Sequence, residues 1–154
     1  MSDDVGSSKR GGSPNPIVVG VDGSEGSRRA LAWCREHAPA LGAEVVAVHG
    51  FSTPYLFTSY GAPEVAVDMD AWQKEAQRAF ETEWTEELAD VAHRTVFVAA
   101  PAARALLDTA DDVDAGMIVV GSRGRGGFAE LVLGSVSHHV THHSRRPVLI
   151  VPAD

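Results

Sequence analysis

The segment GSRGRGGFAELVLGS, residues 121–135, holds the residues of this chain best suited to binding an anion. Gly121, Gly124 and Gly134 are placed along it, and Ser135 follows the last glycine. Glycine has no Cβ, so it adopts positive φ and lets phosphate oxygens approach the backbone closely. A helix is predicted to begin at Ser135, and the free N–H groups and dipole of a helix start attract anions. The order of strand, glycines and helix predicts a phosphate site; the alternative is a glycine-rich turn without a ligand.

Three charged side chains could complete such a site. Asp22 follows the first apolar segment, and a bare carboxylate would repel phosphate unless Mg²⁺ lay between them. Its functional interpretation is therefore contact with a metal or with ribose hydroxyls, and the alternative is a turn residue that starts a helix. Arg123 and Arg125 lie among the glycines. A guanidinium can bind phosphate through two N–H bonds, or it can remain a solvated surface charge.

Other nucleotide motifs are not met. A Walker P-loop needs a Gly-Lys pair, and the sequence has none. A dinucleotide fold would place an acidic residue at the end of the second strand, where this chain has His49 and Gly50. Cys34 lies on an apolar helix face without an evident activating base, which predicts a core residue rather than a nucleophile. We expect no catalytic residue.

Two further groups of side chains permit two interpretations each. His138, His139, His142 and His143 form two pairs at helical i,i+4 spacing, which can bind zinc or can be a polar helix face near the negative end of the helix dipole. Aromatic residues in the loop after the second strand either close over a ligand or pack beneath the loop. These residues are Tyr55, Phe57 and Tyr60.

Alternating apolar segments and helical patterns must position these residues. The predicted strands are residues 17–21, 44–51, 94–99, 117–120 and 147–151. The predicted helices begin near Ser24, Met69, Pro101 and Ser135, and the second extends to Val91. This order predicts an α/β fold: a five-stranded parallel sheet with helices on both faces, in an open, doubly wound, Rossmann-like sandwich. Ligands of such sheets bind where the strand order reverses, so Asp22 and the Gly121 loop would share one crevice if the first and fourth strands are neighbours.

Composition limits the remaining possibilities. Residues 1–15 have little to bury and are predicted to be a disordered tail, and residues 16–152 are predicted to form one domain. The net charge of −8 argues against binding to nucleic acid or to an acidic membrane, because both require a basic surface. No apolar run approaches membrane-span length, and the N-terminus has no signal-peptide core, so we expect a cytoplasmic protein.

The chain resembles the universal stress protein family over residues 16–152. The segments IVVGVDGS, MIVVGSRG and RPVLIVP carry the resemblance, and so does the spacing G-x2-G-x9-G-S that Gly121, Gly124, Gly134 and Ser135 form. This spacing is the ATP-binding signature of one branch of that family. The resemblance implies ATP, with Mg²⁺, as the ligand of a regulatory protein of the stress response, in which nucleotide occupancy changes conformation or assembly.

The resemblance also implies roles for individual residues. Asp22 would face the ribose or a phosphate-bound Mg²⁺, Gly20 and Val21 would border the adenine and ribose, and Gly50 would lie against the adenine. The glycine segment would surround the ribose and phosphates, and the helix that follows would present N–H groups. The full expected set of nucleotide-binding residues is Gly20, Val21, Asp22, Gly50, Val120, Gly121, Ser122, Arg123, Gly124, Arg125, Gly126, Gly127, Gly134, Ser135, Val136 and Ser137.

Two alternatives to an ATP-binding regulator are kept. One is a dimeric interaction protein of the same fold that does not use nucleotide, and the other is a slow ATPase. The fifth strand, Val148 to Val151, is predicted to form a homodimer, because an exposed apolar edge strand pairs readily with its own copy. The alternative is that this edge is covered within the monomer, for example by the loop of residues 52–66. The downstream partner has no signature in the sequence.

Overall fold

The computed structural model describes residues 14–52, 68–124 and 133–153. The strands are β1 (Ile17–Gly20), β2 (Val45–Gly50), β3 (His93–Val98), β4 (Met117–Gly121) and β5 (Val148–Val151). The helices among these residues are α1 (Glu25–Leu41), α2 (Met69–Thr82), α3 (Ala102–Asp112) and α4 (Ser135–His143). All strands run parallel in one sheet of order β3-β2-β1-β4-β5, which confirms the predicted α/β class.

Each face of the sheet is covered by two helices. Alternate residues of β1 point to opposite faces: Val19 packs with α1 and α2, and Val18 packs with α3 and α4. Because both faces are covered, both side chains are fully buried, and the strand is apolar without interruption. The unbroken apolar sequence of β1 thus follows from its position at the centre of a sheet covered on both faces.

The strand order reverses between β1 and β4. Val18 lies opposite Val46 of β2 on one side and Ile118 of β4 on the other, so β1 and β4 are hydrogen-bonded neighbours. The chain leaves β1 towards α1 on one face and leaves β4 towards α4 on the other face. This divergence opens a crevice beyond the carboxyl ends of β1 and β4, where parallel sheets bind ligands.

The predicted long helix from Met69 to Val91 is wrong in its length. Helix α2 ends at Thr82, and a short 3₁₀ turn, Glu86–Leu88, follows before β3. The Thr85 hydroxyl donates to the Phe80 carbonyl at 3.0 Å and holds the break. A straight helix over this range would extend about 34 Å, whereas a six-residue strand spans about 20 Å. The break returns the chain over the sheet and buries Leu88 completely.

Cys34 is a core residue, as predicted. It is fully buried among apolar side chains of α1, β1 and β4, and burial raises the pKa of its thiol to about 12. A thiol with this pKa stays protonated at neutral pH and is a poor nucleophile. Among the described residues, the helices are all too short or too polar to cross a bilayer.

Candidate functional site

The turn between β1 and α1 holds Asp22 by hydrogen bonds. Gly23 takes a positive φ of 76°, which reverses the chain directly after Asp22. The Asp22 carboxylate accepts the Ser24 N–H at 2.9 Å and also the Ser24 hydroxyl through the same oxygen, Oδ1. Ser24 caps α1 by accepting the Ser27 N–H at 3.2 Å. Asp22 is therefore a turn residue, as one interpretation predicted, and it is fixed in orientation.

The loop that leaves β4 touches the first turn of α1 through bare backbone. A Cβ on Gly26 would lie 2.1 Å from the Arg123 carbonyl oxygen, and a Cβ on Gly121 would lie 2.7 Å from the Gly26 carbonyl. Neither position has room for any side chain. These two glycines let the first turn of α1 lie closer to the end of β4 and its loop than other residues would allow.

Gly124 lies against the second oxygen of Asp22. A Cβ at Gly124 would approach Asp22 Oδ2 to 2.6 Å. Because Oδ1 is engaged in the turn, Oδ2 is the oxygen that faces the β4 loop. The structure thus brings Asp22 and the predicted glycine segment into one crevice, although they are about 100 residues apart in sequence.

The start of α4 completes this crevice. The Gly134 N–H donates to the Ser122 carbonyl at 2.6 Å, and the Ser137 hydroxyl lies within hydrogen-bond distance of the Ser122 and Gly134 carbonyls. Gly134 precedes the helix in an extended conformation and contributes no side-chain cap. The first-turn N–H groups of a helix have no partners within the helix, so those of Ser135 and Val136 can bind a ligand.

These elements enclose a cavity of about 250 Å³. Twelve of the sixteen expected nucleotide-binding residues line it: Gly20, Val21, Asp22, Gly50, Val120, Gly121, Arg123, Gly124, Gly134, Ser135, Val136 and Ser137. Ser122 does not line it; this residue is buried, and its carbonyl oxygen fixes the start of α4 instead. Arg125, Gly126 and Gly127 lie outside the described residues, as do Tyr55, Phe57 and Tyr60.

Sequence reasoning missed five lining residues: Ser24, Ser27, Val48, Ala102 and Leu106. Leu106 belongs to the apolar face of α3, and nothing in the sequence distinguishes it from an ordinary core residue. Gly50 allows the start of α3 to lie close to the end of β2, because a Cβ at Gly50 would lie 2.6 Å from the Ala102 Cα. The cavity therefore combines an apolar part, to which α3 and β2 contribute, with a polar part formed by Asp22, Arg123 and the α4 start.

The histidines of α4 lie outside this cavity. All four are exposed and lie in pairs: the rings of His139 and His143 are stacked, and those of His138 and His142 are tilted by 33°. Within the described ranges, no three or more His, Cys, Asp or Glu side chains converge on a possible metal position. Asp22 is the one carboxylate that the described lining residues offer to a magnesium ion at the cavity.

Comparison with known proteins places this arrangement in a family. The model of the universal stress protein family matches residues 14–152. Universal stress protein Rv2005c of Mycobacterium tuberculosis is 37% identical over 135 residues, which cover 88% of this chain and 44% of that protein. The chain therefore spans about half the length of the curated relatives it matches.

Solved structures share the fold. A universal stress protein crystallised in complex with cAMP is 27% identical, with a TM-score of 0.59 over 93% of this chain and 100% of the other. The hypothetical protein MJ0577 is 22% identical, with a TM-score of 0.68 over 92% of this chain and 97% of the other.

Proposed function

This chain belongs to the universal stress protein family, and from that premise we propose that it binds ATP in the crevice between β1 and β4 as a regulatory ligand. One observation carries the proposal: Asp22, the glycines of the β4 loop and the start of α4 line a single cavity. A nucleotide has an apolar base and an anionic end, and the cavity has lining of both kinds.

The phosphates are assigned to the start of α4. Backbone N–H groups at a helix N-terminus bind phosphate without a lysine, and Gly134 leaves the approach to them open. A Cβ at Gly134 would lie 3.4 Å from its nearest heavy atoms, an ordinary van der Waals distance, so the protein itself does not require glycine here. Gly134 therefore leaves space for a ligand, whereas Gly26 and Gly121 allow the backbones of α1 and of the β4 end to touch.

The adenine is assigned to the apolar part of the cavity, beside Gly50, Val48 and Leu106. The relative solved with cAMP supports an adenine nucleotide as the class of ligand. The G-x2-G-x9-G-S spacing favours ATP within that class.

Magnesium is assigned to Asp22. The Oδ2 atom faces Gly124, beside the proposed phosphate positions, where a bound Mg²⁺ would neutralise charge that otherwise repels the carboxylate. Asp22→Asn keeps an oxygen that accepts the Ser24 N–H but removes the charge. We expect this variant to weaken Mg-ATP binding roughly tenfold, the size of one charge-assisted contact, and to leave metal-free ATP binding almost unchanged. Equal losses with and without Mg²⁺ would place Asp22 on the ribose.

We infer regulation rather than turnover from the cavity lining. Among the described lining residues, the one carboxylate is Asp22, and its Oδ1 is already occupied by the turn. Activation of water needs a base within reach of the phosphates. Hydrolysis is therefore proposed to be slow at most, and ATP occupancy, in the cytoplasm, to change the conformation or assembly of the protein.

The proposed assembly is a homodimer through β5, which lies at one edge of the sheet. The Pro147 carbonyl accepts the N–H of Ile118 in β4, and the Val151 carbonyl accepts the N–H of Ser122, directly after β4. Parallel pairing alternates, so Leu149 also faces β4, while the backbone groups of Val148 and Ile150 point away from it. An apolar edge with free backbone groups suits antiparallel pairing with a second copy.

The test is direct. Purified protein is denatured and its released small molecules are identified, and nucleotide-free protein is then titrated calorimetrically with Mg-ATP. We expect binding by the wild type and by Gly116→Ala, a control far from the cavity, and no binding by Gly134→Val, whose side chain would block the α4 start. An absence of released nucleotide and of binding heat would instead favour a nucleotide-independent interaction protein. Normal binding by Gly134→Val would move the site elsewhere.

A further inference from the structure

The exposed face of α4 carries four imidazoles in a regular arrangement. The ring centroids of His138 and His142 lie 4.3 Å apart, and those of His139 and His143 lie 4.2 Å apart. Each pair spans one helical turn, and all four side chains are exposed to solvent. The exposed face of α4 therefore carries two pairs of adjacent imidazoles.

Hydrogen bonds fix which ring nitrogen is available in two of them. His142 Nδ1 lies 3.0 Å from the His138 carbonyl oxygen, and His143 Nδ1 lies 2.9 Å from the His139 carbonyl oxygen. A carbonyl oxygen only accepts, so in each ring Nδ1 carries the hydrogen and Nε2 keeps its lone pair. Metal-bound histidines commonly use this arrangement, because a backbone carbonyl on one nitrogen orients the other towards the metal.

We propose that each of these i,i+4 pairs chelates one late first-row divalent cation through its Nε2 atoms, in a site separate from the nucleotide cavity. Imidazole nitrogens bind such ions at about 2.0–2.1 Å, so two nitrogens on one ion lie roughly 3–4 Å apart. Histidines one helical turn apart reach this separation in metal sites when the rings turn so that their Nε2 lone pairs converge. Imidazole suits Cu²⁺, Ni²⁺ and Zn²⁺, with Cu²⁺ bound most tightly. Water completes the coordination, since in the described part of the chain no third side chain joins either pair.

The surroundings favour a cation. His142 and His143 lie in the last turn of α4, where the negative end of the helix dipole attracts positive charge. The nearby Arg146 already forms ion pairs with Asp111 and Asp114 at 3.5 Å and 3.0 Å, which offsets its charge. Arg145 is exposed and the overall charge of the chain is −8. Arg145 is thus the charged neighbour that opposes a cation here, and the helix dipole and the negative charge of the chain favour it.

His93 provides a matched control. It is also exposed, and its Nδ1 lies 2.9 Å from the Val91 carbonyl oxygen, so it has the same available Nε2. It lies on strand β3, and none of the ring contacts recorded for the described residues involves it. If a single oriented imidazole were sufficient, His93 would bind metal as well as the paired rings do.

The experiment uses the full chain without a purification tag and without nucleotide, titrated with Cu²⁺ by calorimetry and followed by electron paramagnetic resonance. We expect about two ions per chain, each coupled to two nitrogens, since each pair offers two ligands. His142→Ala should lose one ion, and His142→Ala with His143→Ala should lose both. His93→Ala should bind as the wild type does, and circular dichroism should show that all variants remain folded. Wild-type stoichiometry in the double variant, or an equal loss in His93→Ala, would overturn the proposal.

Discussion

Replacing Gly26 by alanine tests the close contact between α1 and the β4 loop. The added Cβ would lie 2.1 Å from the Arg123 carbonyl oxygen, and real Cβ contacts almost never fall below 3.0 Å. The two backbones must therefore separate by about 0.9 Å, the difference between these values. Overpacking of this kind costs about 1–3 kcal/mol, and the better helix propensity of alanine returns at most about 1 kcal/mol. The expected net loss of stability is about 1–2 kcal/mol.

Thermal denaturation followed by circular dichroism measures this loss. A domain of this length loses about 2–4 °C of Tm per kcal/mol, so we expect Gly26→Ala to melt about 2–8 °C below the wild type. Gly116→Ala is the control, because the added Cβ would lie 3.3 Å from its nearest contact, the Cβ of the exposed residue Asn15. The variant should also bind Mg-ATP more weakly, since the loop it displaces carries Gly124. A Tm within 1 °C of the wild type, with unchanged nucleotide affinity, would show that the backbones are not in contact.

Three further predictions rest on packing elsewhere. Gly50→Ala should lower the free energy of unfolding by about 1–3 kcal/mol in urea titrations, because its Cβ would lie 2.6 Å from the Ala102 Cα. Unchanged stability would show that β2 and α3 do not lie this close together. Cys34 should not react with a thiol reagent at pH 8 until the protein is denatured, since burial raises its pKa to about 12; rapid labelling of native protein would be the contrary result. Ile150→Pro should yield a folded monomer in sedimentation experiments, whereas Leu149→Pro should disrupt pairing with β4 and unfold the edge; a dimer that survives Ile150→Pro would exclude β5 as the interface.

The sheet could be predicted from the sequence because its central strands are buried on both faces. Val18 and Val19 point to opposite sides, yet both are fully buried, so the strand reads as an unbroken apolar run. Each run is followed by a helical pattern, which leaves parallel crossovers as the regular solution. The end of α2 could not be predicted in this way. Trp84 and Leu88 continue the helical spacing after Thr82, although the chain there turns back over the sheet.

The site could be predicted in part. Glycine segments and a helix start are local in sequence, so Gly124, Gly134 and Ser135 could be identified. The reasons for glycine differ by position, and they depend on what lies opposite in space. Gly26 meets the Arg123 carbonyl and Gly50 meets the start of α3, which are contacts between distant parts of the chain. Ser122 appeared to be a ligand residue from its place in the segment, but its buried carbonyl instead holds the start of α4.

The glycine contact between α1 and the β4 loop has a mechanical consequence. A side chain between two elements can absorb a displacement by changing its rotamer, but two main chains in direct contact cannot. Helix α1 has 17 residues and is about 25 Å long. A shift of the Arg123 carbonyl towards α1 therefore acts on the helix backbone itself, and a movement of the helix would be felt at its far end, where exposed Leu41 precedes Gly42. We therefore expect a change at the cavity to alter the surface around Leu41, at the end of α1 farthest from the cavity.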